Sequence, residues 1–126
     1  MNSSKRLALV LGSLVAVLAM AGCGGTSPGY GGTVACSAAT ATDTTSVTIQ
    51  GMVFTPNCIR VTAPATVTFT NSDSLIHTVT ADGFPAAYDS GNLSPGQVYQ
   101  HVYPAVGTST YHCKIHIGMT GTVFVQ

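Results

Sequence analysis

The chain has 126 residues, and only 6% of them are charged. Once a leader is removed, that length leaves room for one domain with one modest core, which excludes an enzyme with separate substrate and cofactor domains. Two of the four Lys and Arg residues belong to that leader, so the rest of the chain has two basic residues against four acidic ones, and we expect no basic surface that binds nucleic acid. Abundant Thr, Val, Ala and Gly favour short β-strands over charged amphipathic helices.

Residues 1–22 have the pattern of a secretory signal peptide. Lys5 and Arg6 precede an apolar run over residues 7–21 that is too short for a stable membrane span. Cys23 follows a Met-Ala-Gly triplet, which resembles the cleavage box of bacterial lipoproteins, where the cysteine becomes the lipidated first residue. Ordinary cleavage nearby, with a free thiol, is the alternative. We expect an exported protein, periplasmic or at the cell surface, anchored to a membrane through Cys23.

Residues 23–45 are rich in Gly, Ser, Thr and Ala and offer little to bury, which predicts a flexible tether before a domain over residues 46–126. Cys36 lies in this tether and Cys58 lies in the domain. In an oxidising compartment two such cysteines commonly form a disulfide. Two free thiols, or a bridge disturbed by Cys23, remain the alternatives.

From residue 46 onward, short runs with alternating apolar residues are separated by Pro, Gly, Asn and Asp. This period of two indicates strands with one buried side, and their spacing is typical of a β-sandwich. The predicted strands cover residues 46–51, 58–61, 66–71, 77–81, 97–103, 108–113 and 121–125. A sandwich has no long helix that could form a cleft, so we expect the chemistry in the loops at one end.

The most informative segment follows the predicted strand 108–113. Cys113, His116 and Met119 lie at equal three-residue steps, so one short loop can direct a thiolate, an imidazole and a thioether to one point. A thiolate with an imidazole suits copper or zinc, but the added thioether matches a trigonal copper site that still lacks one imidazole. His77, at the start of a predicted strand, is the candidate for that ligand. Each residue alone is more often part of a core, so the combination carries the prediction.

Two further histidines are not predicted to be ligands. His112 precedes Cys113 in a strand, so the two side chains should point to opposite faces. His101 shares a strand face with Tyr99 and Tyr103, where a packed or hydrogen-bonded imidazole is the ordinary interpretation.

Several stretches resemble the plastocyanin, pseudoazurin and amicyanin group of cupredoxins, in the same order along the chain. They are Phe54-Thr55-Pro56, Asn71-Ser72-Asp73 with His77-Thr78-Val79, Tyr88-Asp89-Ser90-Gly91, Pro95-Gly96-Gln97, and residues 111–123. The resemblance implies an all-β, Greek-key sandwich of about seven to eight strands. It also implies one mononuclear blue-copper ion bound by His77, Cys113, His116 and Met119. Ile117, where many relatives have Pro, is a departure from the pattern.

The resemblance further implies that the protein transfers electrons and is not an enzyme. The protein is expected to be a monomer that carries single electrons between transient redox protein partners outside the cytoplasmic membrane. Asn71 and Thr78 are the polar neighbours expected near the thiolate. At the position of Thr78, several relatives have Asn. The electron path is expected through His116, within an apolar patch whose candidate residues are Ile115, Ile117, Phe84 and Pro85.

Three other functions agree less well with the sequence than electron transfer does. A multicopper oxidase needs histidines on both sides of its cysteine, whereas Lys114 follows Cys113 and the whole chain has four histidines. A copper carrier or sensor is the principal alternative, although such a site is expected to be rich in Met or His, and after the leader only Met52 and Met119 remain. A metal-free adhesive sandwich would make the loop spacing a coincidence.

Overall fold

The computed structural model describes residues 35–83 and 87–126. The predicted signal peptide, Cys23 and the first part of the predicted tether lie outside these residues, as do Phe84 and Pro85. The described part of the chain consists of strands and loops, and it contains no helix long and apolar enough to cross a membrane. The prediction of an all-β domain is confirmed.

Ten short strands are described. In chain order they are β1 (Thr42–Asp43), β2 (Ser46–Gln50), β3 (Val53–Thr55), β4 (Cys58–Val61), β5 (Ala65–Asn71), β6 (Thr80–Ala81), β7 (Tyr88–Asp89), β8 (Val98–Tyr103), β9 (Gly107–His112) and β10 (Thr120–Val125). Each of the seven predicted strands overlaps one of them. The unpredicted strands β1, β3 and β7 have two or three residues each, too few to show an alternating pattern.

The strands form two mixed sheets. One sheet has the order β1-β4-β10-β9-β6-β7 and the other has the order β3-β2-β5-β8. Strand β10 is parallel to β4 and antiparallel to β9, and β2 is parallel to β5. Parallel neighbours cannot be joined by a tight hairpin and need a crossover connection. Here the chain passes from one sheet to the other between β3 and β4 and returns between β4 and β5. The arrangement is the predicted Greek-key β-sandwich.

Alternate residues of both sheets form one apolar core. Three pairs of apolar residues two positions apart, the spacing that places both on one face of a strand, are each at most 4% exposed: Val47 with Ile49, Val67 with Phe69, and Val123 with Val125. Tyr111 lies at the centre of the core, and its ring packs edge-on against Phe54 and Phe69 with centroid distances of 4.8 and 5.2 Å. Burial of this apolar surface is the main stabilising contribution to the domain.

The strand predicted over residues 77–81 is shorter than expected. Only Thr80–Ala81 forms ladder pairs, whereas His77 makes an isolated bridge with Leu93. Between them, the N–H of Val79 donates to the side-chain Oγ of Ser90 at 2.8 Å, and the N–H of Thr78 donates to the sulfur of Cys113 at 3.4 Å. The prediction was therefore too long, because side-chain acceptors replace the neighbouring strand at these two positions.

Residues 35–45, assigned above to the tether, contact the domain. Cys36 and Cys58 form the expected disulfide, with a Cα–Cα distance of 5.6 Å. Strand β1 pairs with β4 in parallel, and the Arg60 guanidinium holds the Asp43 carboxylate through two hydrogen bonds of 2.6 and 2.7 Å. Ala41 is buried. The packed domain thus includes residues before position 46, which corrects that part of the tether prediction.

Candidate metal centre

The loop between β9 and β10 holds three of the predicted ligands. Cys113 directly follows β9 and Met119 directly precedes β10, and the two strands pair from His112↔Thr120 onward. The loop is closed by a hydrogen bond from the N–H of Cys113 to the carbonyl of Met119 at 3.0 Å. At Gly118 the backbone has φ +87°, a conformation that favours glycine. The short loop thereby buries Cys113 and Met119 and leaves His116 partly exposed.

The segment before β6 brings His77 to the same place. His77 and Leu93 exchange two backbone hydrogen bonds of 2.8 and 3.1 Å. The pairing of Thr80 with His112 then places this segment beside β9. The topology therefore joins a residue 36 positions upstream to Cys113.

Three potential ligand atoms converge. Nδ1 of His77 lies 3.1 Å from Nδ1 of His116, and the sulfur of Cys113 lies 3.9 and 3.7 Å from these two nitrogens. The His77 ring is fully buried and Cys113 is 4% exposed, whereas His116 is partly exposed. Among the described residues, these three form the one group of His, Cys and acidic side chains close enough to bind a common metal ion.

Met119 lies in the same buried region. Its side chain is 4% exposed and belongs to the core cluster that also contains Cys113. A thioether is a weak, soft donor that suits copper, while structural zinc sites use Cys, His and carboxylate ligands. The backbone hydrogen bond between Met119 and Cys113 places Met119 beside the other three predicted residues, and the donor set of the four fits copper better than zinc.

The spacing of the donor atoms also fits a single ion. Bonds from a first-row metal ion to imidazole nitrogen and thiolate sulfur are about 2.0 and about 2.3 Å long. An ion at these distances requires its donors to be separated by less than twice the bond length, and the separations of 3.1 to 3.9 Å satisfy this condition. Two imidazole nitrogens and one sulfur are therefore spaced so that one ion could bind all three.

Thr78 is the predicted polar neighbour that does contact Cys113. Its backbone N–H donates to the sulfur of Cys113 at 3.4 Å, and its hydroxyl accepts the N–H of Lys114 at 2.8 Å. A hydrogen bond to a thiolate sulfur tunes the metal centre because it draws electron density from the donor atom.

Asn71, the other predicted neighbour, acts on the loop rather than on the sulfur. Its side-chain amide donates to the carbonyls of Leu75 and Leu93, both at 2.8 Å, and its Oδ1 accepts the N–H of Asp73 at 3.0 Å. Asn71 is fully buried. It therefore fixes the loop that leads to His77.

Asp73 is a contact that the sequence analysis missed. Its Oδ2 lies 3.2 Å from Nε2 of His77, on the side of the ring opposite the ligand cluster. Hydrogen bonds from the N–H groups of Met52 and Ser74, followed by the contact with His77, lower the pKa of the Asp73 carboxyl below its usual range. The sequence did contain a signal for this contact, because Asp73 is an acidic residue four positions before the candidate ligand His77.

The two other histidines lie outside the ligand group, as the sequence predicted. His112 is partly exposed, and its Nδ1 lies 3.7 Å from the Asp82 carboxylate. The His101 ring stacks on Tyr88 at a centroid distance of 3.9 Å and meets Tyr103 edge-on at 4.7 Å. Burial lowers the pKa of His101.

The fold and the site together define a class of protein, a Greek-key sandwich with a His, Cys, His and Met site at one end, which is the architecture of cupredoxins. The family model described as copper binding proteins, plastocyanin/azurin family, matches residues 41–126. This chain therefore belongs to the plastocyanin/azurin family, and copper is its cofactor.

Individual relatives agree with this membership. The plastocyanin of Vicia faba is 32% identical over 89 residues, covering 60% of this chain and 90% of that protein. The chloroplastic plastocyanin of Pisum sativum has the same identity, but the match spans only 53% of its length.

Solved structures show the same fold. A purple cupredoxin from Nitrosopumilus maritimus has a TM-score of 0.59 and 25% identity, covering 64% of this chain and 98% of that one. A mutant of amicyanin has a TM-score of 0.61 and 28% identity, covering 64% and 80% of the two chains. A copper-containing nitrite reductase from Thermus scotoductus has a TM-score of 0.61 and 25% identity, but the match covers 22% of its length.

Proposed function

We propose that this chain is a blue copper electron carrier in which His77, Cys113, His116 and Met119 hold one copper ion. The observation that carries the proposal is the convergence of two imidazole nitrogens and one thiol sulfur, all within 4.8 Å of one another, in a family that binds copper. Bound copper supplies a one-electron couple. The protein would carry single electrons between redox partners outside the cytoplasmic membrane.

The packing around the donors supports electron transfer over metal delivery. Three of the four residues, His77, Cys113 and Met119, are at most 4% exposed. Backbone hydrogen bonds at both ends of the loop and at His77 hold them in position. A rigid donor set between the geometries preferred by the two oxidation states requires little rearrangement per electron. Burial of the donors also opposes the exchange of metal that a copper carrier or sensor requires.

The exposed surface near His116 supports transient binding of protein partners. His116 lies between Ile115 and Ile117, which are 47% and 105% exposed. Leu75 and Ile76, just before His77, are also exposed, at 46% and 43%. Because both pairs adjoin ligand residues, they lie at the metal end of the domain. We propose that redox partners dock on these apolar residues and exchange electrons through the His116 ring, since small interfaces permit fast release.

An electron carrier is proposed in preference to an enzyme. The match to the copper-containing nitrite reductase covers 22% of the length of that enzyme, so this chain resembles only one part of it. Among the residues that the structure describes, the single group of potential metal ligands is the one at His77, Cys113 and His116. A second catalytic copper would need donors beyond this group.

The experiment that tests the function is loading of the purified protein with copper, followed by visible spectroscopy and repeated redox titration. We expect an intense visible band from the thiolate bond, reversible one-electron cycling, and one copper ion retained in both oxidation states. Loss of the metal on reduction would favour the carrier or sensor. Retained copper that cannot be cycled would contradict electron transfer.

The location is also part of the proposal. We propose an exported protein, periplasmic or at the cell surface, held to a membrane by a lipid at Cys23. The Cys36–Cys58 disulfide supports export, since such bonds persist in oxidising compartments. Cys23→Ser should move the protein from the membrane to the soluble fraction. If the parent protein is already fully soluble, the anchor is absent, because a multiply acylated terminus binds membranes stably.

A further inference from the structure

The two histidines at the metal centre have different surroundings. Nδ1 of each ring faces the other ring and the Cys113 sulfur. On its far side, the His77 ring meets a carboxylate, since Oδ2 of Asp73 lies 3.2 Å from Nε2. The described residues place no hydrogen-bonding side chain at Nε2 of the partly exposed His116. The buried ring alone therefore has a protein partner on both sides.

The Asp73 carboxylate is itself fixed by the backbone. Its Oδ2 accepts the N–H of Met52 at 3.0 Å, and its Oδ1 accepts the N–H of Ser74 at 2.8 Å. Met52 belongs to the two-residue turn between β2 and β3, where both Gly51 and Met52 have positive φ values of 63° and 59°. The Asp73 side chain is 14% exposed. The carboxylate is thus held between a hairpin turn and the metal centre.

This contact selects one tautomer of a neutral His77 ring. With the proton on Nε2, the ring donates to Asp73 and leaves the lone pair of Nδ1 directed at the ligand cluster. With the proton on Nδ1, a lone pair of Nε2 would face the carboxylate oxygen, and an N–H would point at the position of the metal. The first arrangement gains a charge-assisted hydrogen bond, whereas the second meets electrostatic repulsion.

We propose that Asp73 is a positioning residue for His77: its carboxylate fixes the tautomer and orientation of the ring, prepares Nδ1 to bind copper and strengthens that nitrogen as a donor. The inference rests on the proposed copper function of the site. A stronger donor stabilises oxidised copper more than reduced copper, because the more highly charged ion gains more from it. Asp73 therefore lowers the reduction potential, and the β2–β3 turn helps to set it.

The test compares the full-length parent protein with Asp73→Asn, and uses Asp43→Asn as the matched control. Both substitutions remove one carboxylate, but Asp43 contacts Arg60 and no ligand. In Asp73→Asn, one amide must replace a carboxylate that faces three N–H donors, so at least one donor faces the amide N–H₂. The fixed orientation and the charge are both lost.

The first measurement uses copper-free protein at neutral pH. Nitrogen-15 NMR of the imidazole rings should show His77 with its proton on Nε2 in the parent and in Asp43→Asn. A mixture of tautomers is expected in Asp73→Asn. A parent ring with its proton on Nδ1 would overturn the proposal, and this result does not require the variant to fold.

The second measurement uses copper-loaded protein. Loss of a hydrogen-bond partner behind a ligating histidine typically lowers metal affinity by about 10- to 100-fold. If Asp73→Asn weakens Cu(II) binding tenfold more than Cu(I) binding, the reduction potential rises by about 59 mV. Tautomer, affinity and potential all equal to those of Asp43→Asn would overturn the proposal. The parent protein could instead keep its His77 proton on Nε2, as Asp73 requires, while its bound copper fails to cycle between oxidation states. That result would support the role of Asp73 and contradict the electron-transfer function.

Discussion

Thr78 and Cys113 are joined across 35 residues by a hydrogen bond from the backbone N–H of Thr78 to the cysteine sulfur at 3.4 Å. The hydroxyl of the same threonine accepts the N–H of Lys114 at 2.8 Å, so Thr78 contacts the proposed ligand and the residue after it. The threonine is 3% exposed. These two contacts hold the end of β9 against the segment that supplies His77.

Thr78→Val should remove the hydroxyl contact and keep the backbone contact, so that their effects can be measured separately. Valine has nearly the same shape and keeps the backbone N–H, but it leaves the N–H of Lys114 without its acceptor. The Thr80 hydroxyl, which also donates to Thr78 at 3.2 Å, loses this acceptor too. Because Lys114 is exposed and its N–H can be hydrated, we expect the net loss of an ordinary hydrogen bond, about 0.5–1.5 kcal/mol in the free energy of unfolding, measured by urea denaturation. Thr78→Ser keeps the hydroxyl and should lose less. Equal stability of the two variants would show that the hydroxyl bond contributes nothing.

The proposed ligands should differ in their effects on the copper site. Cys113→Ala removes the only anionic donor, so the visible band and the redox activity should both disappear. Met119→Leu removes a weak axial donor, so a coloured protein should remain, and its reduction potential should rise because an apolar neighbour disfavours the more highly charged oxidised ion. The measurements are visible absorption and redox titration of copper-loaded protein.

His112→Ala is the control for this set, because His112 lies beside Cys113 in the chain but outside the ligand group. Its spectrum and potential should match those of the parent protein. A bleached His112→Ala protein, together with an unaltered Met119→Leu protein, would refute the ligand assignment.

Gly121 should tolerate no side chain. It pairs with Tyr111 across β9 and β10, and a Cβ added at this position would lie 2.7 Å from Cε2 of the tyrosine ring and still closer to its Cζ and Oη. The ring is held by Phe54 and Phe69, so it cannot move freely. Gly121→Ala should therefore lower the free energy of unfolding by about 1–3 kcal/mol, the usual effect of overpacking.

Gly83→Ala is the matched control for this prediction. Nothing lies within 4 Å of a Cβ at Gly83, and its φ is not in the left-handed region. Its urea midpoint should stay near that of the parent. If Gly121→Ala were equally stable, the tyrosine ring would have to be mobile in the core.

The sequence predicted the metal centre better than its surroundings. Cys113, His116 and Met119 lie in one loop, so their spacing predicted that they meet. His77 was added because this donor set lacked one imidazole, and the cupredoxin resemblance implied the same residue. Asp73 was not found because its position depends on a hydrogen bond from Met52, 21 residues away. A contact of that kind leaves no periodic pattern in the sequence.

Which strands could be predicted also depends on how far tertiary contacts, rather than sequence pattern, hold them in place. Alternation identified the long strands, because their buried residues are large and apolar. Residues 35–45 have small side chains and no large apolar one, and they are held mainly by the Cys36–Cys58 bond and by the ion pair of Arg60 with Asp43. Composition alone therefore predicted a tether where the structure has an ordered edge strand.

His101 should make the protein less stable in acid. Burial lowers the pKa of His101 in the folded protein from about 6.5, so the unfolded chain binds the proton more readily. Its unfavourable effect is absent above the unfolded pKa and grows as the pH falls through that value toward the folded pKa. His101→Phe keeps the stacking on Tyr88 and removes the titration. Urea midpoints at pH 7.5 and 5.0 should fall less in this variant than in the parent, and an equal fall would contradict the prediction.

The Cys36–Cys58 disulfide should stabilise the domain without affecting the copper site. It closes a loop of 22 residues, and a cross-link of that length contributes about 3 kcal/mol by restricting the unfolded chain. Replacing both residues by serine should lower the free energy of unfolding by that amount in urea denaturation. The visible spectrum should not change, because Cys113 is a separate, free and buried cysteine. Alkylation of the parent without reductant should leave Cys36 and Cys58 unmodified in mass spectra, and labelling of both would show that the bond is absent.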